Sequence, residues 1–266
     1  VPCDWSSDVC SSDLVLGHQT YSRCLAPINK KLELLEQLGV DYTWVIQFTQ
    51  QFAKVSPEEF VYEMLVPLHI HTVVVGFDFT FGHRGRGTAQ TLKELCGDKI
   101  QVEIVPPFNI EGKKVSSTFI RDQLQLGNIR QANQYIGRNY SILGKVVEGE
   151  KRGRTIGFPT ANLALEEKYV IPGNGVYAVK FLWRGETYNG VMNIGTKPTF
   201  HNDSEAEPTL EVHILDFNQS IYGEEVEVEF VEFLRKEQKF NSLEELVQQI
   251  SADAKKAQSI LNPNNW

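Results

Sequence analysis

The segment Gly144-Lys-Val-Val-Glu-Gly-Glu-Lys-Arg-Gly-Arg-Thr-Ile-Gly-Phe-Pro-Thr-Ala-Asn-Leu163 contains a glycine- and arginine-rich turn followed by an extended run. Its central glycines are spaced four residues apart, so the backbone can bend sharply and point N–H groups at anionic oxygens. These glycines are Gly149, Gly153 and Gly157, and the basic residues among them are Lys151, Arg152 and Arg154. The turn therefore predicts a phosphate-binding loop that connects two stretches of β-structure.

Two oxygen-bearing side chains follow the turn. Thr160 and Asn162 are two residues apart, and on a strand this spacing places both side chains on one face. A hydroxyl and an amide oxygen can together hold Mg²⁺ against the phosphates of a nucleotide. The segment thus predicts metal-assisted phosphoryl transfer, while the alternative is a solvated β-hairpin with a basic turn and an ordinary strand.

Bulk composition limits the classes of function. The chain has 266 residues and 41% apolar residues, enough for two domains of ordinary size. Its net charge of -8 argues against a general nucleic-acid binder, because binding to a polyanion requires a basic face. No apolar run is long enough to cross a bilayer and no secretory start is evident, so we expect a cytoplasmic protein without membrane or nucleic-acid partners.

Several common motifs are absent from the sequence. The four cysteines and six histidines show no spacing typical of a zinc site. No Walker-type phosphate-binding sequence occurs, which excludes the commonest ATP-binding loop. Residues 1–14 contain a near-repeat, Ser6-Ser-Asp-Val-Cys10 followed by Ser11-Ser-Asp-Leu14, without helical or strand periodicity. We therefore expect residues 1–14 to be a non-native leader.

The first half of the chain alternates helix and strand signals. Helices are predicted to end at Gly39, to start at Ser56, to cover 88–96 and to start at Ser117, and β-rich runs cover 42–48, 71–75 and 100–105. Such alternation predicts a parallel sheet covered on both faces, which binds ligands at the carboxyl ends of its strands.

The second half of the chain reads differently. After a short helix at 129–136, strands are predicted at 140–147, 175–183, 186–194, 209–215 and 225–234. Short strands without intervening helices predict an antiparallel barrel or sandwich. The capping box that starts at Ser242 then predicts an amphipathic helix packed on this β-structure.

Glu211 is the candidate proton acceptor for phosphoryl transfer to an alcohol. It lies in a predicted strand where Leu210 and Val212 face one way while Glu211 and His213 face the other. A carboxylate that points into the protein would require a functional reason. The alternative is that Glu211 and His213 simply face solvent.

The order of motifs resembles a known enzyme family. In the second half these are Gly157-Phe-Pro-Thr-Ala-Asn162, Gly175-Val-Tyr177, Asn193-Ile-Gly-Thr-Lys-Pro198, Glu211-Val-His-Ile-Leu-Asp216 and Leu234-Arg235 before Phe240, which resemble riboflavin kinase. In the first half they are Val75-Gly-Phe-Asp-Phe-Thr-Phe-Gly-His-Arg84 and Val115-Ser-Ser-Thr-Phe-Ile-Arg121, which resemble the FMN adenylyltransferase module of bifunctional riboflavin kinase/FAD synthetase. The similarity runs from about residue 15 to residue 262.

The resemblance implies an α/β Rossmann-like nucleotidyltransferase domain at 15–138. It further implies an antiparallel six-stranded Greek-key β-barrel with a C-terminal helix at 139–266. In the barrel, Thr160 and Asn162 would hold Mg²⁺ with ATP, and Glu211 would accept the proton of the ribityl hydroxyl of riboflavin. The implied ATP-binding residues are Gly149, Arg152, Gly153, Arg154 and Gly157, and those near the flavin are Leu234, Arg235 and Phe240.

The first domain would bind FMN and a second ATP. The resemblance places Ser116, Ser117, Thr118 and Arg121 at the ATP phosphates, at a helix N-terminus. Residues implied at the border of the FMN pocket are Phe77, Asp78, Phe79 and Arg84.

The family's opening strand and its histidine-containing turn have no counterpart here. We therefore expect an incomplete adenylyltransferase domain that is impaired in converting FMN to FAD. A second class of function is a non-catalytic flavin- or nucleotide-binding regulator built on the same barrel. The presence of Thr160, Asn162 and Glu211 together favours the enzyme.

Overall fold

The structure is a computed structural model that describes residues 23–149, 153, 156–196 and 208–262. The described chain divides into two compact units. One contains Leu25–Leu34 and the chain from Ser116 onward, and the other contains Leu35 to Val115. The division at 115/116 differs from the domain boundary expected at 138/139, which stays a prediction.

The helices are short except for the last one. They are α1 Ile28–Gln37, α2 Pro57–Glu59, α3 Ala89–Cys96, α4 Ser117–Gln125, α5 Ile129–Ile136 and α6 Leu243–Leu261, and α2 continues as a π-helical turn over Phe60–Leu65. None of the described helices combines the length and the apolar character needed to span a bilayer.

The strands of the first half are β1 Thr72–Gly76, β2 Thr80–Phe81, β3 Gly87–Thr88, β4 Gln101–Val105, β5 Asn109–Ile110 and β6 Lys113–Lys114. Strands β1 and β4 pair in parallel, and α3 lies between them in the chain. This βαβ order confirms the predicted alternation. Its core is formed by the buried side chains Val61, Leu92, Cys96, Ile100 and Val102.

Two expectations for this unit were wrong. Residues 42–48 form no strand, and Tyr42 and Trp44 are 94% and 63% exposed. A β-rich run becomes a strand only where a neighbour supplies ladder hydrogen bonds, and no described strand pairs with this run. The described residues also leave part of the β1–β4 sheet uncovered, because Val74 is 59% and Ile104 36% exposed.

The second half forms a closed barrel of six strands, which confirms the fold expected from the resemblance. The strands are β7 Tyr140–Val147, β8 Ala161–Ala164, β9 Gly175–Trp183, β10 Glu186–Thr196, β11 Pro208–Ile214 and β12 Glu225–Arg235. Around the barrel their order is β10, β11, β8, β7, β12 and β9. Neighbours that are distant in sequence, such as β8 with β11, create the crossover connections of a Greek key.

Aromatic side chains fill the barrel. Tyr140, Tyr177, Phe181 and Phe230 are fully buried, and the rings of Tyr177 and Phe230 meet edge to face with centroids 5.5 Å apart. Burial raises the pKa of the Tyr177 hydroxyl, so this group stays protonated and donates a hydrogen bond to the carbonyl of Gly173. These rings therefore form a packed aromatic core inside the barrel.

Helix α6 closes one side of the barrel. Its Ala257 and Leu261 pack against the outer side chains Val176, Val191 and Leu234. Next to this apolar contact, the guanidinium of Arg235 donates to both carboxylate oxygens of Asp253 at 3.1 and 2.9 Å. The pair joins the end of β12 to the middle of α6.

Replacing Asp253 with alanine should lower the free energy of unfolding by about 3 kcal/mol, because Asp253 is 5% exposed and its loss leaves the Arg235 charge without its partner. Urea unfolding measures this change. Glu224→Gln is the control, since it weakens the exposed Arg184–Glu224 pair and should have a much smaller effect. Equal effects of the two substitutions would contradict a structural role for the Asp253 pair.

Candidate active site

Three polar side chains lie side by side on neighbouring barrel strands. Glu211 on β11 is directly opposite Asn162 on β8 and also directly opposite Asn193 on β10. Residues directly opposite one another in an antiparallel ladder project from the same face of the sheet, with Cβ atoms about 5 Å apart. We name Asn162, Glu211 and Asn193 the polar row.

The polar row lies on the outer face of the barrel. Leu210 and Val212, which flank Glu211, are 4% and 0% exposed and point into the core, while Glu211 is half-buried. The hypothesis that Glu211 points inward is therefore wrong, because alternation along β11 turns the apolar residues to the core. Glu211 nevertheless remains partly covered.

The glycine-rich loop contacts the first member of the row. A Cβ atom on Gly149 would lie 2.0 Å from Nδ2 of Asn162. A Cβ on Gly153 would lie 2.3 Å from the carbonyl oxygen of Phe158 and 3.5 Å from Oγ1 of Thr160. The loop can therefore approach the Thr160 and Asn162 side chains only because both positions lack a side chain. Gly157 adopts a left-handed φ of +85°, and Arg152 and Arg154 lie outside the described residues.

His213 anchors the segment that carries Thr160. Its Nδ1 lies 2.8 Å from the carbonyl oxygen of Pro159, and its ring meets Phe158 edge to face at 5.3 Å. The hydrogen bond requires a proton on Nδ1, since a carbonyl oxygen can only accept. Thr160 borders a pocket of about 290 Å³ whose other lining residues are Val146, Pro159, Ala161, Val212, Ile214 and 217–222.

If the loop binds ATP as the resemblance implies, substituting Gly149 with alanine should raise KM for ATP about tenfold, because the new methyl group would displace either the loop or the Asn162 amide. Steady-state kinetics with varied ATP measure the effect, and a thermal melt checks that the barrel stays folded. An unchanged KM for ATP would mean that the contact between Gly149 and Asn162 has no role in nucleotide binding.

The predicted flavin-binding residues lie at the end of β12. Leu234 is 7% exposed and packs under α6, and Arg235 is held by Asp253. The Arg235 guanidinium also lies over the Phe240 ring, 5.8 Å from its centroid. The structure thus gives Leu234 and Arg235 packing partners, and their contribution to flavin binding stays a prediction.

The FMN-pocket residues predicted in the first half belong to the unit that ends at Val115. Asp78 forms an exposed ion pair with Lys114 at 3.0 Å, and the Lys114 ammonium lies 4.4 Å from the centroid of the Phe77 ring. Phe79 stacks on the buried Phe81. Arg84 is exposed and adopts a left-handed φ of +56°.

The predicted adenylyltransferase ATP residues belong to the other unit, at the N-terminus of α4. The Ser116 hydroxyl caps this helix by accepting a hydrogen bond from the backbone N–H of Phe119 at 3.2 Å. Ser117 starts the helix, Thr118 is exposed and Arg121 is half-buried. Their role at a nucleotide stays a prediction.

The residues around Thr160 and Asn162 suit a hard cation. Mg²⁺ prefers oxygen ligands and keeps several waters, and the Thr160 hydroxyl and the Asn162 amide provide two such oxygens. Within the part of the chain that the structure describes, no cluster of three or more His, Cys, Asp or Glu side chains could hold a metal.

Comparisons with known proteins agree with this layout. The family model described as riboflavin kinase matches residues 136–261, and the model described as FAD synthetase matches residues 11–119. The bifunctional riboflavin kinase/FMN adenylyltransferase of Bacillus subtilis strain 168 is 42% identical over 244 residues, which cover 91% of this chain and 77% of that protein. The protein of the same name from Listeria monocytogenes is 44% identical over 229 residues, which cover 86% and 72%.

A solved structure shares the fold. A crystal structure described as a macrolide-efflux protein from Streptococcus pneumoniae has a TM-score of 0.81 and is 36% identical to this chain. The match covers 91% of this chain and 76% of that one.

Proposed function

Because this chain belongs to the family of bifunctional riboflavin kinase/FMN adenylyltransferases, which make FMN and FAD, we propose that its barrel transfers the terminal phosphoryl group of ATP to riboflavin at the polar row. The main support is the arrangement of Glu211 opposite Asn162, with the Gly149 backbone against the Asn162 amide. Phosphoryl transfer needs little covalent chemistry from a protein and depends on positioning and charge stabilisation.

Glu211 would act as the proton acceptor. A carboxylate within hydrogen-bond reach of the ribityl hydroxyl can remove its proton as the oxygen attacks phosphorus. Glu211 is half-buried and flanked by two amide side chains, which can donate hydrogen bonds and keep it oriented.

Thr160 and Asn162 would hold Mg²⁺ with ATP, with ATP and riboflavin as substrates and FMN as product. When bound, Mg²⁺ neutralises charge that develops on the transferring phosphoryl group. The loop from Gly149 to Gly157 would cover the phosphates with backbone N–H groups, and His213 would keep Thr160 in place through Pro159.

The first half would adenylylate FMN. We propose Ser116, Ser117, Thr118 and Arg121 for its ATP phosphates, and Phe77, Asp78, Phe79 and Arg84 for its flavin. The impaired FAD formation expected from the sequence stays a prediction. Since ATP and flavin are cytoplasmic metabolites, we also propose a cytoplasmic location and small-molecule partners.

Incubating the chain with riboflavin, ATP and MgCl₂ tests the function, with FMN and FAD separated by chromatography. We expect an amount of ADP equal to the sum of FMN and FAD, because each FAD is made from one FMN. A regulator would bind flavin and form no FMN, which would overturn the proposal. Omission of MgCl₂, with chelator present, should abolish FMN formation. The same chromatogram measures FAD.

A further inference from the structure

A second carboxylate lies beside the polar row. Gly195 is two residues beyond Asn193 on β10 and faces the same way. A Cβ atom on Gly195 would lie 2.4 Å from Oε1 of Glu237 and 3.6 Å from Nδ2 of Asn193. The Glu237 carboxylate therefore covers the Gly195 backbone next to Asn193, the residue opposite Glu211.

The segment that carries Glu237 is held at its base. The Arg235 guanidinium bonds to Asp253 and also donates to the carbonyl oxygen of Lys236 at 3.0 Å. These contacts fix the direction in which the chain leaves β12. Because the Arg235 guanidinium is paired with the Asp253 carboxylate, it does not neutralise Glu237. Lys236 and Lys239 in the same segment are exposed.

We propose that Glu237 is a specificity-determining residue that favours the neutral polyol substrate over the phosphorylated product. The inference rests on the proposed riboflavin kinase function. Its carboxylate would accept a hydrogen bond from a hydroxyl of the ribityl chain whose terminal hydroxyl reaches Glu211. After transfer, the chain carries a phosphate with a charge of about -1.5 to -2 at neutral pH, and two nearby carboxylates repel it.

Removing this repulsion should change the affinity for FMN relative to that for riboflavin. Glu237→Gln keeps an oxygen acceptor of the same size and removes the negative charge. Its Kd for riboflavin should therefore change by less than about threefold, while its Kd for FMN should fall roughly tenfold because a like-charge contact is lost. Glu237→Asp, which keeps the charge, should retain most of the wild-type preference.

Quenching of flavin fluorescence measures both dissociation constants without turnover, with riboflavin and FMN as the probes. The control is Glu225→Gln, which makes the same charge change at the exposed start of β12, opposite Lys145 and at the other end of the strand from the segment that carries Glu237. It should leave the ratio of the two constants unchanged. FMN inhibition of turnover gives a second reading of the same preference.

The outcomes separate this inference from the proposed function. The role of Glu237 is overturned if Glu237→Gln leaves the ratio of the two dissociation constants unchanged. It is also overturned if this variant binds both flavins equally more weakly and has a lower thermal midpoint. If the wild-type chain binds flavins but forms no FMN, the kinase proposal fails while the ratio still decides the role of Glu237. If it binds neither flavin, both proposals are overturned.

Discussion

Replacing Glu211 with glutamine should reduce kcat for FMN formation about 1,000-fold while the Kd for riboflavin changes by less than about threefold. The amide keeps the size of the side chain and its hydrogen bonds to a polyol, but it cannot take up the proton of the attacking hydroxyl. A loss that falls on kcat and spares flavin affinity identifies a group needed in the transition state.

Glu225→Gln is the matched control, because it removes an exposed carboxylate from the same barrel on β12, which β7 separates from β8. It should turn over riboflavin at the wild-type rate. A normal kcat for the E211Q protein would show that Glu211 does not accept the proton of the attacking hydroxyl.

Thr160→Val should lower kcat/KM for ATP roughly 100-fold, because it replaces the proposed metal-ligand hydroxyl with a methyl group of similar shape. Thr160→Ser keeps the hydroxyl and should recover most of the activity. The measurement is steady-state FMN formation with varied ATP at fixed free Mg²⁺.

Thr187→Val, an exposed position on β10, is the control for loss of a threonine hydroxyl and should behave as wild type. Equal impairment of Thr160→Ser and Thr160→Val would refute the proposed metal-ligand role of Thr160. Activity would then depend on the shape of the side chain and not on its hydroxyl oxygen.

The barrel was predictable because its local signals agree with its tertiary structure. The predicted strand bounds at 140–147 and 175–183 are those observed, and alternation along β11 identifies which residues enter the core. Ser242 caps α6 as predicted by accepting from the N–H of Glu245. Here propensity, periodicity and capping all point to the same element.

The polar row and its neighbours could not be derived from spacing alone. Asn162, Asn193 and Glu211 come from three strands, and only the register of the ladders brings them together. Glu237 lies in an exposed loop, where no motif or periodicity in the sequence identifies it. Its carboxylate can lie beside Asn193 because Gly195 has no side chain. The strand predicted at 42–48 is wrong for another reason. These residues have a high β propensity, but no described strand pairs with them.

The most direct test of the proposed kinase site is a crystal structure of this chain with Mg²⁺, ADP and riboflavin. We expect a metal within about 2.1 Å of the Thr160 hydroxyl and the Asn162 amide oxygen. We also expect the terminal ribityl hydroxyl within hydrogen-bond distance of Glu211. A metal and flavin bound elsewhere on the barrel, away from these three side chains, would contradict it.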